Sequence, residues 1–401
     1  MFPRDRQFSN EPRVAIVQRM THDDNEALMT TSSTPKTPKK LGRAAALLAL
    51  PLAGALAAVL AQAHVRSAAA DPGLHSTTTH AAEPRPADGA RGAAGKSPWG
   101  ADDQIGTLNK MNDEQRLKVL QRIASGRVYD LSVEYFVGMP SWYALGDPRY
   151  QYHLTHTPNG TVVDDPMKVG RDMNEKVSYT GDAITMYTHM GTHIDALNHF
   201  GLHGEIWNGF RADDHVGDKG WTKGGAEVLP PIVARGVLID IPRAKGVEEL
   251  PPSYRILPED LRQALDKQKT RIEPGDVVLV RTGRMRHFHE DNARYMENPP
   301  GLGLDAARWL VEEAGVMTLG ADNLSLETFP VETADNWIPV HTYLLAERGV
   351  PFMEVVNLEE IARDQVYEFA FIAASLKLRG ASGAPMRPIA LPIRGEEARG
   401  G

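Results

Sequence analysis

The sequence predicts an α/β fold, on two observations. Runs rich in β-branched and aromatic residues recur from residue 127 onward, each bounded by Gly, Pro or Asp. Between them lie segments with helical spacing and recognisable caps, and strands alternating with helices mark an α/β body. The alternation is irregular and 137–230 is loop-rich, so a regular doubly wound sheet is not expected. Hydrophobic residues make up 42% of the chain, enough for a sizeable core. With no cysteine, disulfides, thiolate metal sites and a cysteine nucleophile are excluded. The 44 basic and 52 acidic residues give −8; the first 70 residues hold nine and five of these, leaving 35 − 47 = −12 for the remainder. An acidic body argues against nucleic acid or an anionic membrane as the main partner.

The elements follow in order. "TPKKLGRAAALLALPLAGALAAVLAQAHVRSAAADPG" has a basic head ending at Arg43, an apolar run of 20 residues from Ala44 to Ala63, and small residues beyond. This is the layout of an export signal, with cleavage expected at Ala61–Ala63 or Ala68–Ala70. Residues 1–70 are assigned to this leader, and Met29 would give it a more ordinary start. The alternative is an anchor formed by 44–63, since 20 residues can just span a bilayer. The alanine-rich run and Pro51 weigh against it. Residues 71–97 have linker composition, 98–394 form one domain, and 395–401 are a tail.

Within the domain, strands are expected at 127–136, 236–242, 276–283, 315–322 and 368–378. A helix should open at an Asn112 cap, with Gln115 three later, and end at Gly126. A second begins with Pro258 in its first turn. A third runs from an Asp305 cap to Gly315, and a short fourth, "HTYLLAERG", stops at Gly349.

The densest chemistry is "HMGTHIDALNHF", 189–200: His189, His193, Asp195 and His199. Imidazole and carboxylate are the usual ligands of zinc and manganese. Counted from His189, the spacings are four, six and ten, but Gly191, Thr192 and Ile194 disfavour a regular helix. A turn wrapping an ion fits better, with the Thr192 hydroxyl holding a ligand in place. Such a site would support metal-assisted hydrolysis, with His199 moving protons.

The pattern His189-x-Gly191-Thr192-His193-x-Asp195-x-x-x-His199 resembles the H-x-G-T-H-x-D-x-P-x-H signature of the cyclase superfamily, which includes bacterial kynurenine formamidases and isatin hydrolases. Leu197 stands at the signature's proline. "VHTYLLAERGVPFMEVVNLEEI" is similar to the family's later segment and supplies His341 and Glu354. The resemblance implies a swivelling β/β/α fold, with a central barrel-like mixed sheet and peripheral helices. It implies one or two divalent ions, Zn or Mn, held by His189, His193, Asp195, His341 and Glu354, with His199 as acid/base. The implied reaction is hydrolysis of an amide, formamide, cyclic amide or lactone of a small molecule, N-formylkynurenine being the leading candidate. A dimer or tetramer is implied as well. "DLSVEYFVGMPSWYALGDP" is similar to the family's first strand and loop and places Trp142 against the substrate. The rival readings are a single-metal, isatin-type ring-opening hydrolase and a non-catalytic exported binding protein. His203 is a candidate for the pocket, whereas His287 and His289 sit among arginines that would repel a cation. Asp322 and Ser325 are expected to be structural.

Overall fold

The computed structural model describes residues 93–394; the expected leader, most of the linker and the tail lie outside the described residues. Nine strands form one curled, mixed sheet, a half-barrel with helices around it. In chain order they are β1 Tyr129–Asp130, β2 His193–Asp195, β3 Ile232–Asp240, β4 Val277–Arg281, β5 Thr318–Ala321, β6 Phe352–Glu354, β7 Glu368–Ala373, β8 Gly383–Pro385 and β9 Ile389–Pro392. Their order across the sheet is β1-β9-β7-β3-β4-β5-β6-β2-β8. The four central strands, β3 to β6, are parallel, and every pairing outside them is antiparallel.

Both faces of the central strands are covered. Val237 and Ile239 of β3 and Val278 and Val280 of β4 enter one apolar cluster; Leu238, Val277 and Leu279 enter another on the opposite face. Continuous apolar runs such as "VVLV" belong to strands buried on both sides. The principal helices are α1 Asp113–Gln121, α2 Pro258–Gln268, α3 Leu304–Arg308 and α4 Pro339–His341. The last two run on as π-helical turns, Trp309–Glu313 and Thr342–Glu347. α1 opens as expected: Gln115 N donates to Asn112 Oδ1 at 2.9 Å, and Asn112 N to Gln115 Oε1 at 3.3 Å. No helix among the described residues is long and apolar enough to cross a membrane.

Four expectations change. The strand at 127–136 shrinks to β1, because Val133 N donates to Thr192 Oγ1 instead of to a neighbouring strand. Asp305 does not cap α3; Gly303 precedes the helix and Asp305 lies in its first turn. Gly95 and Ser97, read from composition as the end of the linker, are tied into the domain: Gly95 N donates to Ala346 O at 2.8 Å and Ser97 Oγ to Asp103 Oδ2 at 2.7 Å. Within 137–185, an antiparallel ribbon pairs Gln151–His156 with Gly181–Thr185.

Candidate metal centre

The site grows from the register of three short strands. In β6 and β2, Glu354 lies opposite His193 and Phe352 opposite Asp195. Partners in an antiparallel pair share a face, as do residues i and i+2. His193, Asp195 and Glu354 therefore project together, while Ile194 and Met353 enter the core behind them. On the far side of β2, Gly383 of β8 lies opposite Asp195. A Cβ on Gly383 would come 2.5 Å from Cε1 of His189, so glycine makes room for that ring.

The turn before β2 sets the imidazoles. Gly191 adopts φ +58°, and a Cβ there would strike the Tyr135 ring at 2.5 Å. Its carbonyl accepts from His193 Nδ1 at 2.8 Å. A carbonyl can only accept, so Nδ1 carries the proton and Nε2 faces the site. Thr192 pins the turn: Oγ1 accepts from Val133 N at 2.9 Å and donates to Val355 O at 2.7 Å.

His193 Nε2 lies 3.2 Å from Asp195 Oδ1 and 3.6 Å from Glu354 Oε2. His341, at the end of α4, brings Nε2 to 3.3 Å from Glu354 Oε1 and 3.9 Å from Asp195 Oδ2. His189 Nδ1 is 2.7 Å from Asp195 Oδ1, and Ser382 Oγ is 2.8 Å from its Nε2. His199 stacks on His189 with centroids 3.7 Å apart and holds Nε2 3.7 Å from Asp195 Oδ2.

Burial decides the electrostatics. Burial raises the pKa of Asp195, but the surrounding imidazoles outweigh it and hold the carboxyl well below its usual range. His341 is desolvated, yet its hydrogen bond to Glu327 and the negative charge of the nearby Glu354 push it up to about 10. Desolvation likewise opposes the charge on His193, and Asp195 overcomes it in the upward direction. His199 goes the other way: burial and the neighbouring His189 hold it well below the ordinary histidine range, so it is neutral at physiological pH.

These groups fit a metal. His193 Nε2, Asp195 Oδ2 and Glu354 Oε1 are buried and have no hydrogen-bond partner. Orphaned buried polar atoms are costly, and here they face one another. Two ligand sets have their donor atoms within 4.8 Å of one another: His189, Asp195 and His199, and Asp195, His341 and Glu354. Asp195 is common to both.

The family model described as "Putative cyclase" matches residues 129–328. A crystal structure of a novel cyclase is 31% identical, with a TM-score of 0.65, and the match covers 73% of this chain and 95% of that one. This chain belongs to the cyclase family. Isatin hydrolase A from Ralstonia solanacearum shares the fold at 21% identity and TM-score 0.50, covering 66% of this chain and 91% of that one. Cyclase-like protein 3 of Arabidopsis thaliana is 24% identical over 263 residues, 66% of this chain and 79% of that protein.

In this cyclase-family protein all six residues named from the motif and the later segment converge. His199 groups with His189 and Asp195, and His341 with Asp195 and Glu354, while His193 Nε2 stands 3.2 Å from Asp195 Oδ1. Trp142 is half-buried and packs edge-on against Phe329, with centroids 6.2 Å apart. His203 is exposed in the turn at Leu202–Glu205. His287 lies 2.8 Å from Glu249, which also binds Arg284 and Arg294. Asp322 is structural as expected, accepting from Thr282 N, Thr282 Oγ1 and Gly283 N.

Sequence reasoning missed Glu327. Its carboxylate accepts from His341 Nδ1 at 2.6 Å and from the α4 amides of His341 at 3.1 Å and Val340 at 3.3 Å. It fixes the ring so that Nε2 faces the site, as partners behind metal-ligating histidines do. An acidic residue ahead of a His-bearing helix was the available signal.

Proposed function

We propose that this protein is a metal-dependent hydrolase of amides, formamides, cyclic amides or lactones. The observation that carries the reading is the convergence of the buried, unpartnered His193 Nε2, Asp195 Oδ2 and Glu354 Oε1. His189, His193, Asp195, His341 and Glu354 would hold Zn or Mn, which His and carboxylate donors suit alike. Such an ion, when bound, polarises a carbonyl and acidifies water. Asp195 and Glu354 supply the negative charge that retains it. His199 is assigned the proton. It is neutral, and its side chain is 16% exposed against 6% for His341 and 0% for His193, so it opens toward an arriving substrate. A neutral imidazole there can take a proton and return it to the leaving nitrogen or oxygen.

Phe200 lies against both His199 and His341, with Trp337 beyond it, so the entrance is aromatic. This supports a substrate with a ring, and N-formylkynurenine is the first to try, with Trp142 stacking on it. Export is retained in this reading, supported by the basic-apolar-small layout of the leader. A single-metal, isatin-type ring opening is the second reading. It is favoured by His189, whose two nitrogens already face Asp195 and Ser382, leaving Asp195, His341 and Glu354 as the readier set.

The test is the purified protein loaded with Zn or Mn and offered a panel of formamides, cyclic amides and lactones, with metal counted per chain. Turnover that disappears on chelation and returns with metal is expected. Metal bound without turnover of any panel member would leave a binding protein and sink the hydrolase reading. One metal per chain with turnover selects the single-metal mechanism.

A further inference from the structure

Three imidazoles of the metal centre carry a hydrogen-bond partner on the nitrogen turned away from it, and the partners differ in kind. For His193 the partner is a carbonyl, Gly191 O at 2.8 Å from Nδ1. For His341 it is a carboxylate, Glu327 Oε1 at 2.6 Å from Nδ1. A carbonyl and an ionised carboxylate only accept, so both rings keep a proton on Nδ1 and turn Nε2 to the site. For His189 the partner is a hydroxyl, Ser382 Oγ at 2.8 Å from Nε2, while Nδ1 faces Asp195 Oδ1 at 2.7 Å. A hydroxyl donates as readily as it accepts. Of the three rings, His189 alone has a partner that leaves its tautomer open. The ring itself is fixed: His199 stacks on it at 3.7 Å, and Gly383 opposite gives it room without slack. Ser382 is fixed too, since its carbonyl accepts from Ala196 N at 2.8 Å. The freedom therefore belongs to the proton. With Nδ1 protonated, His189 donates to Asp195, accepts from Ser382 and has no lone pair for an ion. With Nε2 protonated, it donates to Ser382 and turns the Nδ1 lone pair toward the set it forms with Asp195 and His199.

We propose that Ser382 is a positioning residue that makes His189 a conditional ligand: one ion binds at Asp195, His341 and Glu354, and a second binds only when the His189 proton has moved from Nδ1 to Nε2. The ring neither gains nor loses a proton in this shift, so its charge is unchanged. The order of loading follows from hydrogen-bond strength. Nδ1–H to an ionised Asp195 is charge-assisted, whereas Nε2–H to a hydroxyl is neutral and weaker. The metal-free chain therefore rests with Nδ1 protonated. A first ion on Asp195 withdraws the charge that holds the proton there, and Ser382 Oγ is in place to accept it on the other side. Ser382 thus sets how many ions the centre holds at a given metal concentration. The inference rests on reading this site as a metal centre and not on the hydrolysis assigned to it.

The experiment titrates Zn into the metal-free full chain by calorimetry and chelator competition, for wild type, Ser382→Ala, Ser382→Asp and Ser382→Thr. The wild type is expected to bind one ion tightly and a second more weakly. Ser382→Ala removes the acceptor for Nε2–H, so the second dissociation constant should rise about 10–100-fold. Ser382→Asp supplies a partner that only accepts, as Glu327 does for His341, and the second constant should fall by a similar factor. Ser382→Thr keeps the hydroxyl and should match the wild type, which holds the test open if the aspartate is poorly accommodated. The first constant should stay the same throughout, whereas a merely structural Ser382 would move both together. Nitrogen NMR of the metal-free chain reads the tautomer directly: His189 should be protonated at Nδ1 in wild type and at Nε2 in Ser382→Asp. Two equally tight ions in the wild type, a second constant indifferent to residue 382, or an unchanged His189 tautomer in Ser382→Asp would overturn the proposal. Constants ordered as expected in a chain that turns over no substrate would instead uphold it and sink only the hydrolase reading.

Discussion

His193 shows how little is needed to aim a ligand: the carbonyl of Gly191, two residues earlier, fixes which nitrogen is protonated. The motif was legible because its members sit within eleven positions and their chemistry is local. Ser382, Gly383 and Glu327 were not, because each matters only through a contact made across the fold. At this scale the roles separate by substitution. His193→Ala or Asp195→Ala should abolish metal content and activity together. His199→Ala should keep most of its metal and lose about 10²–10⁴-fold in kcat, the usual worth of a general acid–base. Elemental analysis beside kcat decides; metal lost from His199→Ala as fully as from His193→Ala would make His199 a ligand. Glu327→Gln tests a supporting residue. A neutral amide still accepts from His341 Nδ1 but withdraws the charge, so metal affinity should fall about 10–100-fold. Competition with a fluorescent chelator reads this, and unchanged affinity would reduce Glu327 to a cap for α4.

The strands that carry the ligands, β2, β6 and β8, have three residues each. No periodicity can show in three residues, so the sequence predicted a wrapping turn where a turn and a strand edge occur. β3, β4, β5 and β7 were visible because strands buried on both faces are written in unbroken apolar residues. α1 was visible through its capping box. What holds the short elements together is Thr192, joining the turn to Val133 on one side and to Val355, just after β6, on the other. Thr192→Val keeps the shape and leaves a buried amide and a buried carbonyl without this partner. At about 1–3 kcal/mol for each unsatisfied group, the variant should lose roughly 2–6 kcal/mol by urea denaturation. It should also release metal more readily, because the turn bearing Gly191 and His193 is loosened. A loss under about 0.5 kcal/mol would mean that the strand register holds the turn unaided.

The whole molecule gathers two carboxylates and four imidazoles into a buried space, so its stability and its metal occupancy must be linked. A cation that binds only the folded chain stabilises it by about 2.7 kcal/mol at 100 times its dissociation constant. For a body of this size that corresponds to a rise of roughly 5 °C in melting temperature. The sign with pH follows from the imidazoles. His341 keeps its proton up to about pH 10, and His193 is shifted in the same direction. Metal must displace those protons, and acid restores them, so affinity falls as pH falls. The gain in melting temperature at fixed Zn should therefore be larger at pH 8 than at pH 6. The same scan in excess chelator gives the metal-free baseline at each pH, separating the metal's effect from that of pH on the rest of the chain. A gain that is flat across this range would show that the bound ion does not compete with the protons on His193 and His341. It would then have to sit on the His189, Asp195 and His199 side, where His199 is already neutral.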